Sequence, residues 1–224
     1  MGTLVIAHRG ASALEPENSL TAFRAALRLG ANGVELDVHA TADGHLVVVH
    51  DPRVGGRPIA SGARAEVTAH PLSNGEPIPT LPEALAELGA EVLVFVEVKT
   101  LTPVHDAALL AVLDAAPAPA HCHVHSFDHR IVRRLKDRRP TLVTGVLSSS
   151  YPAKPFEQVH QARASELWQH EPMIDARLVV EARGVGVKVY AWTVDDPDRM
   201  KELARFHVDG ICTNRPDLAR EVLG

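Results

Sequence analysis

The sequence has no long hydrophobic run. No stretch approaches the roughly 18 uncharged apolar residues that a membrane helix requires, so we expect no membrane insertion. No lysine or arginine precedes the short apolar run at residues 4–6, and we therefore expect no signal peptide. Together these two absences predict a cytoplasmic protein.

Cysteine is scarce, and positive charge is not in excess. Cys122 and Cys212 lie far apart, without the spacing of a metal motif, and we expect both to be free thiols buried in a reducing compartment. The formal net charge of −5 argues against a nucleic-acid partner, because such a partner needs a basic surface. These two observations exclude a disulfide scaffold and a nucleic-acid-binding module.

Strand-like and helix-like segments alternate along the 224 residues. Eight strands are predicted, at residues 4–7, 33–38, 92–98, 121–125, 142–147, 166–168, 188–192 and 210–212. Eight strand–helix units predict an α/β fold, the (β/α)8 TIM barrel, as a single domain over residues 1–224. The competing doubly wound sheet would place a glycine-rich phosphate loop after the first strand, and the sequence HRGASA at that point contains none.

A longer segment separates the second strand from its helix. After a short extended piece at residues 46–49, residues 51–79 are rich in glycine and proline and are predicted to form a loop, before a helix at residues 81–88. The sequence therefore predicts a short insertion after the second barrel strand.

Polar residues cluster at the carboxyl ends of the predicted strands, where catalytic groups of such barrels gather. These ends carry His8-Arg9, Glu35-x-Asp37, His50-Asp51, Glu97-x-Lys99, His125-Ser126, His170, Trp192-Thr193 and Thr213-Asn214. Two residues apart on a strand, the members of each x-spaced pair point to the same face. A single pair of this kind is commonly an internal salt bridge, but two such pairs on adjacent strands predict a functional site.

Three carboxylates, Glu35, Asp37 and Glu97, converge in this arrangement. Buried carboxylates repel one another unless a cation lies between them, and oxygen ligands suit Mg²⁺ or Ca²⁺ better than zinc. The sequence therefore predicts one divalent cation, with Arg9 and Lys99 as additional positive groups that would hold a phosphate.

Two histidines, His8 and His50, lie at strand ends beside this cluster. Either one alone would be an ordinary core or loop histidine, but together they suggest a general base and a general acid that work near neutral pH. Which of the two is the base is left open by the sequence.

The residues "HRGASALEPENSLTAFRAALRLGANGVELDVHATADGHLVVVHDP", followed by "VEVK", "SFD", "AWTV" and "VDGICTNRP", resemble the glycerophosphodiester phosphodiesterases. The resemblance covers the whole chain. It implies a barrel of the PLC-like phosphodiesterase type and metal-dependent hydrolysis of a small glycerophosphodiester substrate to sn-glycerol 3-phosphate and an alcohol. By motif position it implies the following roles: cation ligands Glu35, Asp37 and Glu97; catalytic residues His8 and His50; phosphate ligands Arg9 and Lys99; and substrate-lining residues Trp192 and Ser126.

Two residues of the PEN motif, Glu17 and Asn18, are expected to support the site. We expect Asn18 to be the N-cap of the first helix, whereas Glu17 either supports the neighbouring residues or contacts the cation itself.

Two other functions remain open: a sphingomyelinase-type phospholipase D or cyclising lyase on the same barrel, and a non-catalytic phosphate- or metal-binding module. The alcohol headgroup, the choice among Mg²⁺, Ca²⁺ and Mn²⁺, and the oligomeric state, including a homodimer, are also open.

Overall fold

The computed structural model describes residues 2–224. Within this range the strands are β1 (Leu4–His8), β2 (Gly33–Ala40), β3 (Leu46–Val48), β4 (Arg53–Val54), β5 (Arg57–Pro58), β6 (Leu93–Thr100), β7 (Cys122–Ser126), β8 (Val143–Ser148), β9 (Glu166–His170), β10 (Lys188–Trp192) and β11 (Gly210–Thr213). Strands β2 and β6 to β11 pair in parallel in that order, and β1 pairs in parallel with both β2 and β11. The eight parallel strands therefore close, which confirms the predicted barrel.

Helices alternate with the barrel strands and cover the outside of the barrel. The α-helices within residues 2–224 are α1 (Leu20–Arg28), α2 (Arg64–Thr68), α3 (Leu81–Leu88), α4 (Asp106–Asp114), α5 (His129–Arg138), α6 (Glu157–Gln161), α7 (Ala176–Gly184), α8 (Pro197–Phe206) and α9 (Pro216–Leu223). In the described part of the chain, each of them is too short or too polar to cross a membrane. Their apolar faces and the outward side chains of the strands form the main hydrophobic core.

Large side chains fill the inside of the barrel. The buried hydrophobic residues there are Ile6, Phe95, Leu147, Trp168, Tyr190 and Cys212. Glycines at inward positions leave room for the aromatic rings, since a Cβ added at Gly145 would lie 2.8 Å from Trp168 and one added at Gly210 would lie 2.8 Å from Tyr190. The interior is therefore packed core, as in other barrels of this type.

The insertion after β2 has more structure than the sequence predicted. Strand β3 pairs antiparallel with β2, β4 and β5 form a small hairpin, and α2 follows. Val47, Ile59, Val67 and Ile78 form a separate small core beneath these elements. The prediction of a loop over residues 51–79 was wrong at these elements, because the apolar residues that anchor them are too widely spaced to produce a periodic pattern.

The first helix begins one residue later than expected. Ser19 is its N-cap, and the Ser19 hydroxyl accepts a hydrogen bond from the Ala22 backbone N–H at 2.9 Å. Asn18 instead has a positive φ of 58°, and its side chain points to β2, where it donates to Asp37 at 2.8 Å. The prediction of Asn18 as the N-cap was therefore wrong, because its amide bonds to the neighbouring strand rather than to the helix.

Candidate active site

A cavity opens at the carboxyl ends of the barrel strands. It is lined by His8, Arg9, Glu35, His50, Glu97, Lys99, His125, Phe127, Leu147, Trp168, Trp192, Thr193 and Cys212. The cavity thus brings together both predicted catalytic histidines, two of the three predicted cation ligands, both predicted phosphate ligands and Trp192. Asp37 is fully buried directly behind this lining.

Glu35 and Glu97 are buried carboxylates that face the cavity. Glu35 lies on β2 and Glu97 on β6, where Glu97 is paired in register with Asp37. Burial, together with the negative charge of Asp37, raises the pKa of Glu35 to about 7. Burial and the charge of Glu35 raise the pKa of Glu97 to about 7. Lys99 Nζ pairs with Glu97 Oε1 at 2.7 Å, but for both carboxylates burial and the neighbouring negative charges outweigh the nearby cations.

Asp37 has a different environment, because cations surround it. Arg9 Nε lies 3.0 Å from Asp37 Oδ2, and Lys99 Nζ lies 3.3 Å from Asp37 Oδ1. Burial alone would raise the pKa of Asp37, but Lys99, Arg9 and the amide of Asn18 outweigh burial and hold it below its usual value. Glu17 is half-exposed and pairs with Arg9 Nη1 at 2.8 Å, which places Glu17 as a support of Arg9.

Glu35, Glu97 and His125 form a group that fits a metal ion. Each offers one ligand atom, and the three atoms lie within 4.8 Å of one another. Glu35 Oε1 is buried without a hydrogen-bond partner among residues 2–224. Two buried carboxylates with raised pKa values and an orphaned oxygen are the features expected of a site built for a divalent cation.

A chain of hydrogen bonds orients His8. Asn214 Nδ2 donates to Asp195 Oδ2 at 2.6 Å, which directs Asn214 Oδ1 toward His8 Nδ1 at 2.7 Å and toward the Ser12 hydroxyl at 2.8 Å. Because Asn214 Oδ1 can only accept, this network assigns the ring proton to Nδ1 of His8. In the neutral ring, Nε2 is then the nitrogen without a proton, and it lies 3.9 Å from Glu35 Oε2.

His50 follows β3 and is held by two neighbours. Its Nδ1 lies 3.0 Å from Asp51 Oδ1, and its backbone carbonyl accepts a hydrogen bond from His39 Nε2 at 3.0 Å. His39 Nδ1 in turn lies 3.2 Å from Thr100 Oγ1, and burial lowers the pKa of His39. His39, which the sequence analysis did not single out, therefore ties His50 to strands β2 and β6.

The aromatic side of the cavity is formed by Trp192 and Phe127, whose rings meet edge to face at 5.5 Å.

The side chain of Ser126, by contrast, is buried outside the cavity lining. Its hydroxyl donates to the Val98 carbonyl at 2.7 Å and accepts from the Asp128 backbone N–H at 3.0 Å. Ser126 thus shapes the end of β7, and its neighbour Phe127 lines the cavity.

Sequence reasoning noted the strand ends that carry His125 and Asn214 but gave neither residue a role. His125 could have been found from the alternation of β7, since it is paired in register with Glu97 of β6. Asn214 directly follows β11, beside β1 in the closed barrel. Asn214 and His8 become neighbours only because β11 pairs with β1 to close the barrel, so no local sequence pattern predicts their contact.

A wider groove between α5 and α6 has no comparable chemistry. Its arginines are held by carboxylates, as in the ion pairs of Arg134 with Asp106 at 2.6 Å and of Arg133 with Asp137 at 2.8 Å. The positive charge of this groove is therefore largely compensated within the protein.

Comparison with known proteins identifies the family. The model of the glycerophosphoryl diester phosphodiesterase family matches residues 8–218. The chain is 35% identical to a glycerophosphodiester phosphodiesterase of Caldanaerobacter subterraneus, over 97% of this chain and 96% of that protein. This chain belongs to the glycerophosphodiester phosphodiesterase family. It is therefore an enzyme, a phosphoric diester hydrolase, as the resemblance implied.

Solved structures of glycerophosphodiester phosphodiesterases share the barrel. A crystal structure of one from Parabacteroides distasonis superimposes with a TM-score of 0.90 at 27% identity, covering 99% of this chain and 97% of that one. A phosphodiesterase from Oleispira antarctica, solved in complex with the product sn-glycerol-3-phosphate, gives a TM-score of 0.89 at 26% identity, with 99% and 96% coverage. Family and fold together support glycerophosphodiester phosphodiesterase activity.

Proposed function

We propose that this protein hydrolyses glycerophosphodiesters to sn-glycerol 3-phosphate and an alcohol, with one divalent cation and with His8 and His50 as the acid–base pair. The observation that carries this proposal is the meeting, in one cavity, of two histidines with two buried carboxylates, Glu35 and Glu97, whose pKa values are raised to about 7. The product bound by the Oleispira antarctica relative supports the same substrate class. A cytoplasmic location stays a prediction, and the oligomeric state stays open.

In this proposal Glu35 and Glu97, with Asp37 beside them, hold the cation. Their oxygen donors suit Mg²⁺, Ca²⁺ or Mn²⁺. When bound, such an ion supplies positive charge to the phosphodiester oxygens.

Arg9 and Lys99 bind the phosphate in the same proposal. Both line the cavity, and Asp37 holds both in place through ion pairs at 3.0 Å and 3.3 Å. Their remaining N–H groups can donate charge-assisted hydrogen bonds to the phosphate oxygens. Charge compensation and positioning of this kind supply most of the catalysis in phosphoryl transfer.

His8 is the proposed base, because its Nε2 is left free to accept a proton when Nδ1 donates to Asn214. His50 then gives a proton to the leaving alcohol oxygen. The nucleophile is either the glycerol hydroxyl of the substrate, which forms a cyclic phosphate that water opens, or water itself. Trp192 and Phe127 offer an apolar wall to the glycerol carbons.

The proposal is tested by measuring release of glycerol 3-phosphate from glycerophosphocholine, glycerophosphoethanolamine and glycerophosphoglycerol, each with Mg²⁺, Ca²⁺, Mn²⁺ or chelator. We expect activity that chelator abolishes. His8→Ala and His50→Ala should each lower kcat by about two to four powers of ten, the usual range for loss of acid–base catalysis.

His160→Ala is the matched control, since His160 is exposed on α6, far from the cavity lining. Full activity in excess chelator would remove the cation from the proposal. A normal rate in either the His8 or the His50 variant would remove that residue from the acid–base pair.

A further inference from the structure

We propose that His125 supplies a nitrogen ligand to the cation, alongside Glu35 and Glu97, so that the site has mixed nitrogen and oxygen donors. This inference rests on the proposed metal-dependent function and adds a residue to the three carboxylates predicted from the sequence. It concerns which ions the site prefers.

The distances fit a shared ion better than direct bonds between the side chains. His125 Nε2 lies 3.8 Å from Glu35 Oε1, which is too far for a hydrogen bond. Two atoms that share one ion, each about 2.1 Å from it, lie roughly 3 to 4 Å apart. The ligand atom of Glu97 completes the group within 4.8 Å.

Burial and missing partners point in the same direction. His125 is 1% exposed and Glu35 is 2% exposed. Glu35 Oε1 lacks a hydrogen-bond partner among residues 2–224. A cation bound to His125 Nε2 would give this orphaned carboxylate oxygen a partner.

The backbone and a stacked ring fix the position of His125. It is paired in register with Glu97 on the adjacent strand, so both side chains project from the same level of the barrel wall. The His125 ring also stacks on Trp168, with centroids 4.3 Å apart and planes 15° apart. The strand pairing and the stacked indole ring therefore hold the imidazole in a fixed position at the cavity edge.

A nitrogen donor has a chemical consequence. Mg²⁺ and Ca²⁺ prefer oxygen ligands, whereas imidazole binds transition ions such as Mn²⁺ more readily. We therefore expect the protein to bind Mn²⁺ more tightly than Mg²⁺ or Ca²⁺. His125→Gln should weaken Mn²⁺ binding by at least about tenfold and should weaken Mg²⁺ binding less.

The direct test is pulsed electron paramagnetic resonance on the metal-free protein loaded with Mn²⁺. Coordinated imidazole gives a nitrogen modulation that changes when the protein is made with ¹⁵N-histidine, and this measurement needs no variant. We expect the modulation in the native protein and its loss in His125→Gln, with Mn²⁺ still bound.

His8→Gln and His50→Gln are the matched variants, because both residues line the same cavity and both variants should keep the nitrogen signal. Bound Mn²⁺ without a nitrogen signal, or a signal lost in the His8 or His50 variant instead, would overturn the role of His125 alone. A native protein that binds no Mn²⁺, Mg²⁺ or Ca²⁺ would overturn the proposed metal-dependent function as well. If His125→Gln does not fold, the ¹⁵N measurement and the other two variants still decide the assignment.

Discussion

At the scale of single residues, Glu35 and Asp37 show how neighbours decide the charge of a carboxylate. Both are buried on the same face of β2. Arg9 and Lys99 form ion pairs with Asp37 and keep its pKa low. Glu35 accepts a hydrogen bond from the Arg9 backbone N–H at 3.3 Å and has two histidines at 3.8 and 3.9 Å. One carboxylate thus anchors the cationic side chains, and the other remains available to a ligand.

The orientation of His8 leads to the first residue-scale prediction. Asn214→Ala removes the acceptor for His8 Nδ1–H and frees the ring to rotate and change tautomer. We expect kcat to fall roughly tenfold, the equivalent of one lost hydrogen bond, with little change in KM. Ser12→Ala is the comparison variant: it removes a hydroxyl that donates to Asn214 Oδ1 and to the His8 backbone carbonyl but keeps the contact between Asn214 and the His8 ring, so we expect a smaller loss of kcat. An unchanged kcat in Asn214→Ala would contradict the positioning role.

The two cysteines provide the second residue-scale prediction. Cys122 and Cys212 are free and buried. Burial raises the pKa of Cys122 to about 11 and that of Cys212 well above its usual value. A thiol reagent at pH 8 should therefore react with both on the order of 100-fold more slowly than with an exposed thiol, and should react quickly once denaturant unfolds the chain. Rapid labelling of the native protein would show that one thiol is accessible.

Much of the candidate site could be predicted at this scale. The barrel pattern alone predicts that residues next to the strand ends converge. Six residues of the candidate site are placed in this way: His8, His50, Glu35, Glu97, Arg9 and Lys99. The role of Asn214 could not be predicted, because it depends on a hydrogen bond across the closing seam, 206 residues apart in sequence. Ser126 was expected to line the cavity, but its short side chain allows the hydroxyl to donate to the backbone carbonyl of Val98 instead.

At the scale of elements, the alternation of the strands couples the packed interior to the site. Gly145 on β8 faces Trp168 on β9, and Trp168 stacks on His125 at the cavity edge. Because Gly145 has no side chain, the indole ring of Trp168 can lie against it. A larger residue at position 145 would move Trp168, and through it His125, without contacting His125 itself.

Gly145→Ala tests this coupling. Its Cβ would lie 2.8 Å from Trp168 and 3.1 Å from Glu166, so we expect a loss of about 1–3 kcal/mol in the free energy of unfolding from overpacking, together with weaker activity. Gly184→Ala is the control, because a Cβ there meets nothing within 4 Å. Equal stability of the two variants in urea unfolding would show that the ring moves at no cost.

The elements themselves were largely predictable, and the exceptions have a physical cause. Helix α3 matches its predicted range, residues 81–88, because Thr80 and Glu83 form a capping box at its start and Gly89 ends it. Within the insertion, only alanine, glycine and polar residues lie between the buried residues Ile59 and Val67. Long-range packing rather than a local apolar pattern holds the hairpin and α2 in place, so these elements are hard to predict from a single sequence.

At the scale of the whole molecule, polar contacts also cross the packed interior. His123 on β7 and Glu166 on β9 are both buried, and His123 Nδ1 lies 2.8 Å from Glu166 Oε1 across the intervening strand β8. The Tyr190 hydroxyl on β10 lies 3.5 Å from the same oxygen. Burial strongly raises the pKa of Tyr190, so this hydroxyl stays protonated and can donate. The group thus links three strands, β7, β9 and β10, inside the barrel.

His123→Ala should therefore destabilise the whole barrel. It leaves the Glu166 carboxylate buried without its main hydrogen-bond partner, a change that typically costs about 1–3 kcal/mol. Urea unfolding measures the loss, with His160→Ala as an exposed control expected to stay within about 0.5 kcal/mol of the native protein. Adding Glu166→Gln to His123→Ala removes the uncompensated charge, so the double variant should be more stable than His123→Ala alone. If the second substitution lowers stability further, the cost arises from lost packing of the imidazole against Phe95, whose ring lies 5.0 Å away, and the pair is not an electrostatic link between the strands.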